Sequence, residues 1–386
     1  MNSAMPTIAI VLNTAWNIYN FRLGLIKTLQ AEGYQVIAIA PRDEYAAEIE
    51  ATGCHFIDLP NLKRKGMNPF YDLRLMYNLF SIYRKYKVDV ALHYTIKPVI
   101  FGTLATRFLS TKAINTMTGL GYAFLSNSLI RYLVMSLYRL TLPAAYRTFF
   151  QNQDDQALFL QYGLVQKAKT AIVPGSGINT QHFQPQTDVE KRDRVQFLFI
   201  GRLLTDKGIC EFADAIKIVK KTYSAAQFHV VGELDTGNRA TITAEELESW
   251  QEEKLIIYHG QKNDVRPFII DADALVLPSY REGLPRVMLE GMAMGKPLIT
   301  TDVPGCRATV VHGENGYLVE VKNAEALAKA MINMIEIGQE RRLAMGQKGR
   351  QMALDIFDER KIVAHYLKVI NTLSNRSIAS SSALSK

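Results

Sequence analysis

A strand, a loop, an amphipathic helix and a further strand follow one another from residue 7, and the same series begins again near residue 195. No other feature of the sequence limits the possible folds as much. Thr7–Leu12 reads as a strand, Asn13–Asn20 as a loop, Phe21–Glu32 as a helix and Gln35–Ala40 as a second strand. That is a βαβ unit of the kind that builds a doubly wound parallel sheet. Strand-like runs follow at Val88–His93 and Lys112–Thr116. In the second half, Val195–Ile200 reads as a strand, Gly201–Gly208 as a glycine-bounded loop and Ile209–Lys221 as a helix. Strands at Ala226–Val231, Leu255–His259, Ala274–Leu277, Pro297–Thr301 and Gly316–Val319 come next, alternating with helices. The pattern predicts two Rossmann-like α/β domains with doubly wound parallel sheets, facing each other across a cleft.

Pro, Gly, Ser and Asn cluster in Pro174–Gln186, which marks the linker. The expected division is therefore a first domain over 1–178 and a second over 179–355. Asp358–Leu373 reads as a last helix, and the Ser-rich tail 374–386 is expected to be mobile. At 386 residues, 48% hydrophobic and 21% charged, the chain has ample material for two cores. Its net charge of +8 favours anionic partners, whether a nucleotide, a phospholipid surface or a nucleic acid. Cys54, Cys210 and Cys306 are scattered and odd in number, which fits a reducing cytosol. Ile8–Leu12 is too short for the apolar region of a cleavable signal. Leu125–Phe150 is apolar and aromatic, but Arg131, Arg139 and Arg147 interrupt it. An Arg near a bilayer centre costs at least about 2.5 kcal/mol, which argues against a membrane span there.

The chemistry concentrates in the second half. Glu282 and Glu290 stand eight positions apart, the first in the loop Ser279–Leu284 and the second on a helix that Pro285 is expected to open. The start of such a helix suits an anion, because unpaired N–H groups and the positive end of the dipole face it. Gly283 and Leu284 would supply further backbone donors. Two acceptor-only carboxylates beside a phosphate cradle suit a ligand rich in hydroxyls, and a nucleotide sugar has both features. Gly201-Arg-Leu-Leu-Thr-Asp-Lys-Gly208 adds Arg202 and Lys207 in a loop opened by Gly201 directly after a strand. Two cations there match a diphosphate. Asp271-Ala-Asp273 has the form of a metal-binding pair, yet it precedes its strand and opens at the wrong end, so catalysis without a metal is expected.

In the first half, Asn13, Trp16, Asn17 and Arg22 lie between the first strand and the first helix. They can offer hydrogen bonds and a sugar-stacking ring to an acceptor or to the donor phosphate. His93 and Lys97 end another strand at the same edge, and Thr118 and Gly119 supply backbone that a ligand could approach closely. Lys63-Arg-Lys65 and Asn68–Lys87 mix basic and aromatic residues. Such a segment serves either as a helix covering the sheet or as a face for an anionic bilayer.

The segment Tyr280–Pro297 resembles the Glu-x7-Glu signature of the retaining family 4 glycosyltransferases of GT-B fold, and Gly201–Gly208 is similar to their donor-phosphate loop. The resemblance implies that Glu282 lies by the donor sugar, Glu290 binds the ribose, and Arg202 and Lys207 hold the diphosphate. It also implies that a C-terminal helix, 356–373, returns to pack on the first domain. Arg64-Lys-Gly-Met-Asn-Pro-Phe70, Lys97-Pro-Val-Ile-Phe-Gly102 and Gly119-Leu-Gly-Tyr-Ala-Phe124 resemble the PglA-type galactosyl- and N-acetylgalactosaminyltransferases. Those enzymes imply a UDP-sugar donor, an undecaprenyl-diphosphate-linked acceptor, work at the cytoplasmic face of the inner membrane, no cofactor and no nucleic acid partner. Three rivals remain at this point: a glycosidase using the paired carboxylates, a UDP-sugar epimerase, and a noncatalytic nucleotide or nucleic-acid binder.

Overall fold

The computed structural model describes residues 5–62, 68–120, 129–186, 194–238 and 240–374. Lys63-Arg-Lys65, the stretches 64–67 and 121–124 of two motifs, and the tail beyond Ser374 lie outside the described residues. The chain divides into two compact units, one of residues 1–176 with 359–386 and the other of 177–358.

The first unit holds a seven-stranded sheet: β1 (Thr7–Val11), β2 (Gln35–Ala40), β3 (His55–Asp58), β4 (Val90–Tyr94), β5 (Lys112–Met117), β6 (Arg147–Phe150) and β7 (Thr170–Ile172). Their order is β3-β2-β1-β4-β5-β6-β7, with every neighbouring pair parallel. β1 and β4 are buried along their whole length, which is why they read as continuous apolar runs and not as alternating ones. The helix Glu359–Leu373 belongs to this unit. Its Tyr366 shares a hydrogen bond of 2.8 Å with Thr116 and packs edge-on against Phe149. The Tyr34 hydroxyl donates to Asn371 further along the same helix.

The second unit holds β8 (Gln196–Ile200), β9 (Gln227–Val231), β10 (Ile257–Tyr258), β11 (Ala274–Leu277), β12 (Leu298–Thr301) and β13 (Gly316–Val319). The order is β10-β9-β8-β11-β12-β13, again parallel throughout. In each sheet the order reverses beside the first strand, between β1 and β4 and between β8 and β11. At such a switch point the connections leave in opposite directions and open a crevice outside the carboxyl ends of the strands.

Two expectations about local structure change. Asn13–Asn20 is not a loop, because the helix runs Ala15–Ala31 and Trp16 and Asn17 stand in its first turn. The cause is Thr14, whose hydroxyl accepts from the Asn17 N–H at 3.1 Å and starts the helix early. Pro285 is the extended N-cap and not the first helical residue, and the helix runs Arg286–Ala293. β3, β6 and β7 went unread in the sequence. They are only 4, 4 and 3 residues long. Among the described residues no helix is long and apolar enough to cross a membrane.

Candidate active site

The loops that follow β8 and β11 lie side by side because those strands are neighbours. Both leave from carboxyl ends at the switch point. The first turns sharply at Thr205–Lys207 and ends in Gly208, whose φ is +74°. A Cβ at Gly208 would lie 2.1 Å from the Pro278 carbonyl oxygen, so the loop fits against the end of β11 only with glycine there. The two loops are then pinned together, since the Asp206 carbonyl accepts from the Tyr280 N–H at 2.9 Å and the Ser279 hydroxyl at 3.1 Å. Gly208→Ala is expected to cost about 2–4 kcal/mol of stability, because it adds left-handed strain to a backbone clash. A urea midpoint unchanged from that of the parent would contradict this.

This arrangement brings Lys207 to Glu282. Their ammonium and carboxylate form an ion pair, with the side chains 22% and 14% exposed. Glu282 is held from its other side as well. Its N–H donates to the Pro304 carbonyl, and a Cβ at Gly305 would lie 2.3 Å from its own carbonyl oxygen. Gly305 has a φ of +81°, so this close approach needs glycine on both steric and conformational grounds.

Arg202 leaves the same first loop and pairs with Asp235, beyond the carboxyl end of β9, at 3.3 Å. Asp235 was not singled out from the sequence. Neither loop marks it in the sequence, because it meets Arg202 only through the adjacency of β8 and β9 in the sheet. Gly201 stands at the mouth of β8 and its N–H donates to the Val231 carbonyl at 3.0 Å. Glu290 lies on the helix Arg286–Ala293, its side chain 13% exposed, and accepts from the Arg286 guanidinium at 3.1 Å. Burial pushes the Glu290 carboxyl above its ordinary range, against the opposing pull of Arg286. Gly283 and Leu284 sit just before the helix start, where no side chain caps Pro285. The geometry thus gathers three ion pairs, Lys207 with Glu282, Arg202 with Asp235 and Arg286 with Glu290, and an uncapped helix start on one edge of one sheet. These groups can bind a diphosphate and accept hydrogen bonds from the hydroxyls attached to it.

Asp273 lies elsewhere. It precedes β11, at the amino end of the strand, where it accepts from the Gln196 N–H at 2.9 Å and pairs with Arg342 at 3.5 Å. Among the described residues no three His, Cys, Asp or Glu side chains gather so as to hold a metal ion.

The first unit places Asn13, Lys97, Thr118 and Gly119 past the carboxyl ends of β1, β4 and β5. The Asn13 side-chain oxygen is buried without a hydrogen-bond partner. Trp16 is 43% exposed and packs edge-on against Phe21. Asn17 serves through its backbone in the helix cap described above. Arg22 is buried, stacked 4.2 Å over the Tyr94 ring, with one N–H bonded to the Phe21 carbonyl. Lys97 forms an ion pair with Asp72 at 2.9 Å.

His93 departs from the expectation that it recognises an acceptor. It is fully buried, hydrogen-bonded to the Tyr83 hydroxyl at 2.8 Å and to Asn115 at 3.0 Å, and it is a core residue. Gly102 packs so close that a Cβ there would lie 2.4 Å from the imidazole. Thr95, two residues on, was missed. It is a β-branched residue with φ of +63°, and its hydroxyl is buried without a partner. Strain of that kind at a strand end is costly and concentrates near binding sites, but it leaves no mark in the sequence.

Comparison with known proteins identifies the family of the chain. Residues 7–152 match the family described as Glycosyl transferase 4-like, and residues 194–336 match Glycosyl transferases group 1. One relative is the N,N'-diacetylbacillosaminyl-diphospho-undecaprenol alpha-1,3-N-acetylgalactosaminyltransferase of Campylobacter jejuni, 28% identical over 94% of this chain and 97% of its own. Another is the UDP-Gal:alpha-D-GlcNAc-diphosphoundecaprenol alpha-1,3-galactosyltransferase of Escherichia coli, 22% identical over 69% of this chain and 71% of its own. Among solved structures, a sucrose-phosphate synthase from Thermosynechococcus elongatus superposes with a TM-score of 0.80 at 21% identity, covering 97% of this chain and 100% of its own. The chain is a glycosyltransferase of GT-B fold, its first unit of the glycosyl transferase 4-like family and its second of glycosyl transferases group 1.

Proposed function

We propose that the enzyme moves a hexose or N-acetylhexosamine of the galactose type from a UDP-sugar to a sugar on undecaprenyl diphosphate, with retention at the anomeric carbon. The observation that carries this reading is the meeting of Lys207 and Glu282, 75 residues apart in sequence, at the β8–β11 switch point. In this reading Lys207 and Arg202 hold the donor diphosphate and stabilise it as it departs. Glu282 orients the sugar hydroxyls and Glu290 the ribose. The acceptor hydroxyl attacks from the face that the leaving group vacates, and a phosphate oxygen of the donor takes its proton. Positioning and preorganised charge then do most of the catalytic work, and no protein nucleophile is needed.

The relatives named above act on saccharides linked to undecaprenol through a diphosphate, and one of them takes UDP-galactose. Their names support the donor and acceptor classes proposed here. A membrane-held acceptor places the enzyme at the cytoplasmic face of the inner membrane, as a peripheral protein in glycan or surface polysaccharide assembly. Its cationic balance favours that surface.

The test is to incubate the protein with a panel of UDP-sugars and lipid-diphosphate-sugar acceptors and to follow UDP release, with the anomer of the product read by NMR. Acceptor-dependent UDP release with an α-linked product is expected. Release of free sugar from a glycan, or conversion of the UDP-sugar without acceptor, would replace the reading with a glycosidase or an epimerase. Full activity is expected in EDTA. A strict metal requirement would return Asp271 and Asp273 to consideration.

A further inference from the structure

A groove of about 690 Å³ runs along the solvent side of the helix Pro69–Lys85 in the first unit. Phe70, Leu73, Tyr77 and Phe80 line it from the helix, and Phe108 lines it from the turn after Thr103–Thr106. Phe70 is 85% exposed and Phe108 75%. Side chains of this size are seldom left so open in a contiguous patch unless something covers them. Phe80 also packs against the core, but Phe70, Leu73 and Tyr77 stay exposed, because Leu75, Leu79 and Tyr83 already bury the other side of the same helix.

We infer that this groove takes the polyisoprenyl chain of the lipid-linked acceptor, an inference that rests on the acceptor class proposed above. Three observations support that occupant. The lining is a shallow apolar strip that follows the helix from Phe70 to Phe80, about 15 Å, a run along which a hydrocarbon chain can lie. The strip also starts beside the acceptor edge of the sheet. Asp72, in the first turn of the helix, pairs with Lys97 just past the carboxyl end of β4, and that pair anchors the helix there. The third observation is charge. Arg74 is the one charged residue of the lining among the described residues, and its sign suits the diphosphate that such a chain carries.

The experiment measures binding of undecaprenyl phosphate to the full chain in detergent micelles. Sedimentation of the same proteins with anionic phospholipid vesicles free of isoprenoid runs in parallel. Tyr77→Ser with Phe108→Ser is expected to weaken undecaprenyl phosphate binding roughly tenfold or more, because it removes two aromatic rings from the apolar contact. Thermal stability should stay close to that of the parent, since both side chains are exposed. If the double variant loses stability, Phe108→Ala alone is used and a several-fold loss is expected. Unchanged undecaprenyl phosphate affinity with lost vesicle binding would overturn the inference in favour of a bilayer contact. No change in either measurement would overturn it outright. Because binding is read without turnover, a wild-type protein that binds the lipid through this groove yet transfers no sugar would contradict the proposed function and leave the groove standing.

Discussion

Replacing Lys207 with alanine is expected to lower kcat by two or more decades while leaving the fold in place. At about 4 Å and an effective dielectric near 20, a cation and a phosphate oxygen interact by at most about 4 kcal/mol. If that interaction is expressed only as the leaving group departs, it corresponds to roughly three decades of rate. Part of the effect is offset, because Glu282 already engages the same ammonium. Removing Lys207 also leaves Glu282 without its cation, so the effects of Lys207→Ala and Glu282→Gln should fall well short of additive. Steady-state UDP release from the two single variants and the double variant checks both statements. A kcat for Lys207→Ala equal to the wild-type value would remove the phosphate clamp from the mechanism.

The second large effect concerns stability. Burial holds the His93 imidazole down at about 4, with a smaller opposing contribution from its hydrogen bond to Asn115. In the unfolded chain the same group titrates near 6.5. Between those two values the unfolded state takes up a proton that the folded state refuses. Stability is therefore complete above about pH 6.5 and is lost as the pH falls toward about 4, by about 3 kcal/mol in all. His93→Gln removes this dependence. It is expected to be less stable than the parent at pH 7, through loss of packing under Gly102, and to show a flatter decline on acidification. Urea midpoints of both proteins at pH 7 and pH 4.5 test this. Equal slopes would show that His93 is not the group responsible. Because the ring faces the core, the same substitution should act on stability more than on acceptor KM.

Much of the fold is legible in the sequence because parallel strands buried on both faces leave uninterrupted apolar runs, as at β1, β8 and β11. β7 is a three-residue strand at the edge of its sheet, and a run that short carries no period to detect. The early start of the first helix was hidden because Thr14 caps it from within a stretch whose Asn residues also suit a loop.

The cations and carboxylates of the second unit could be named from their place after strands, where loop chemistry is read directly from residue type. Their partners could not. The pairing of Arg202 with Asp235 depends on β8 and β9 being neighbours, which is a property of the sheet order and not of either loop. His93 shows the opposite failure. A histidine at a strand end looks the same in sequence whether it faces a ligand or the core. Tyr83, ten residues earlier on the helix that packs against β4, decides the matter only once the two are brought together.

A crystal structure of the protein with UDP tests the central claim most directly. The account predicts the diphosphate within hydrogen-bond reach of Lys207 and Arg202, between the loops that follow β8 and β11, with the ribose hydroxyls on Glu290. UDP seated against another part of the second unit, or on the first unit, would contradict it.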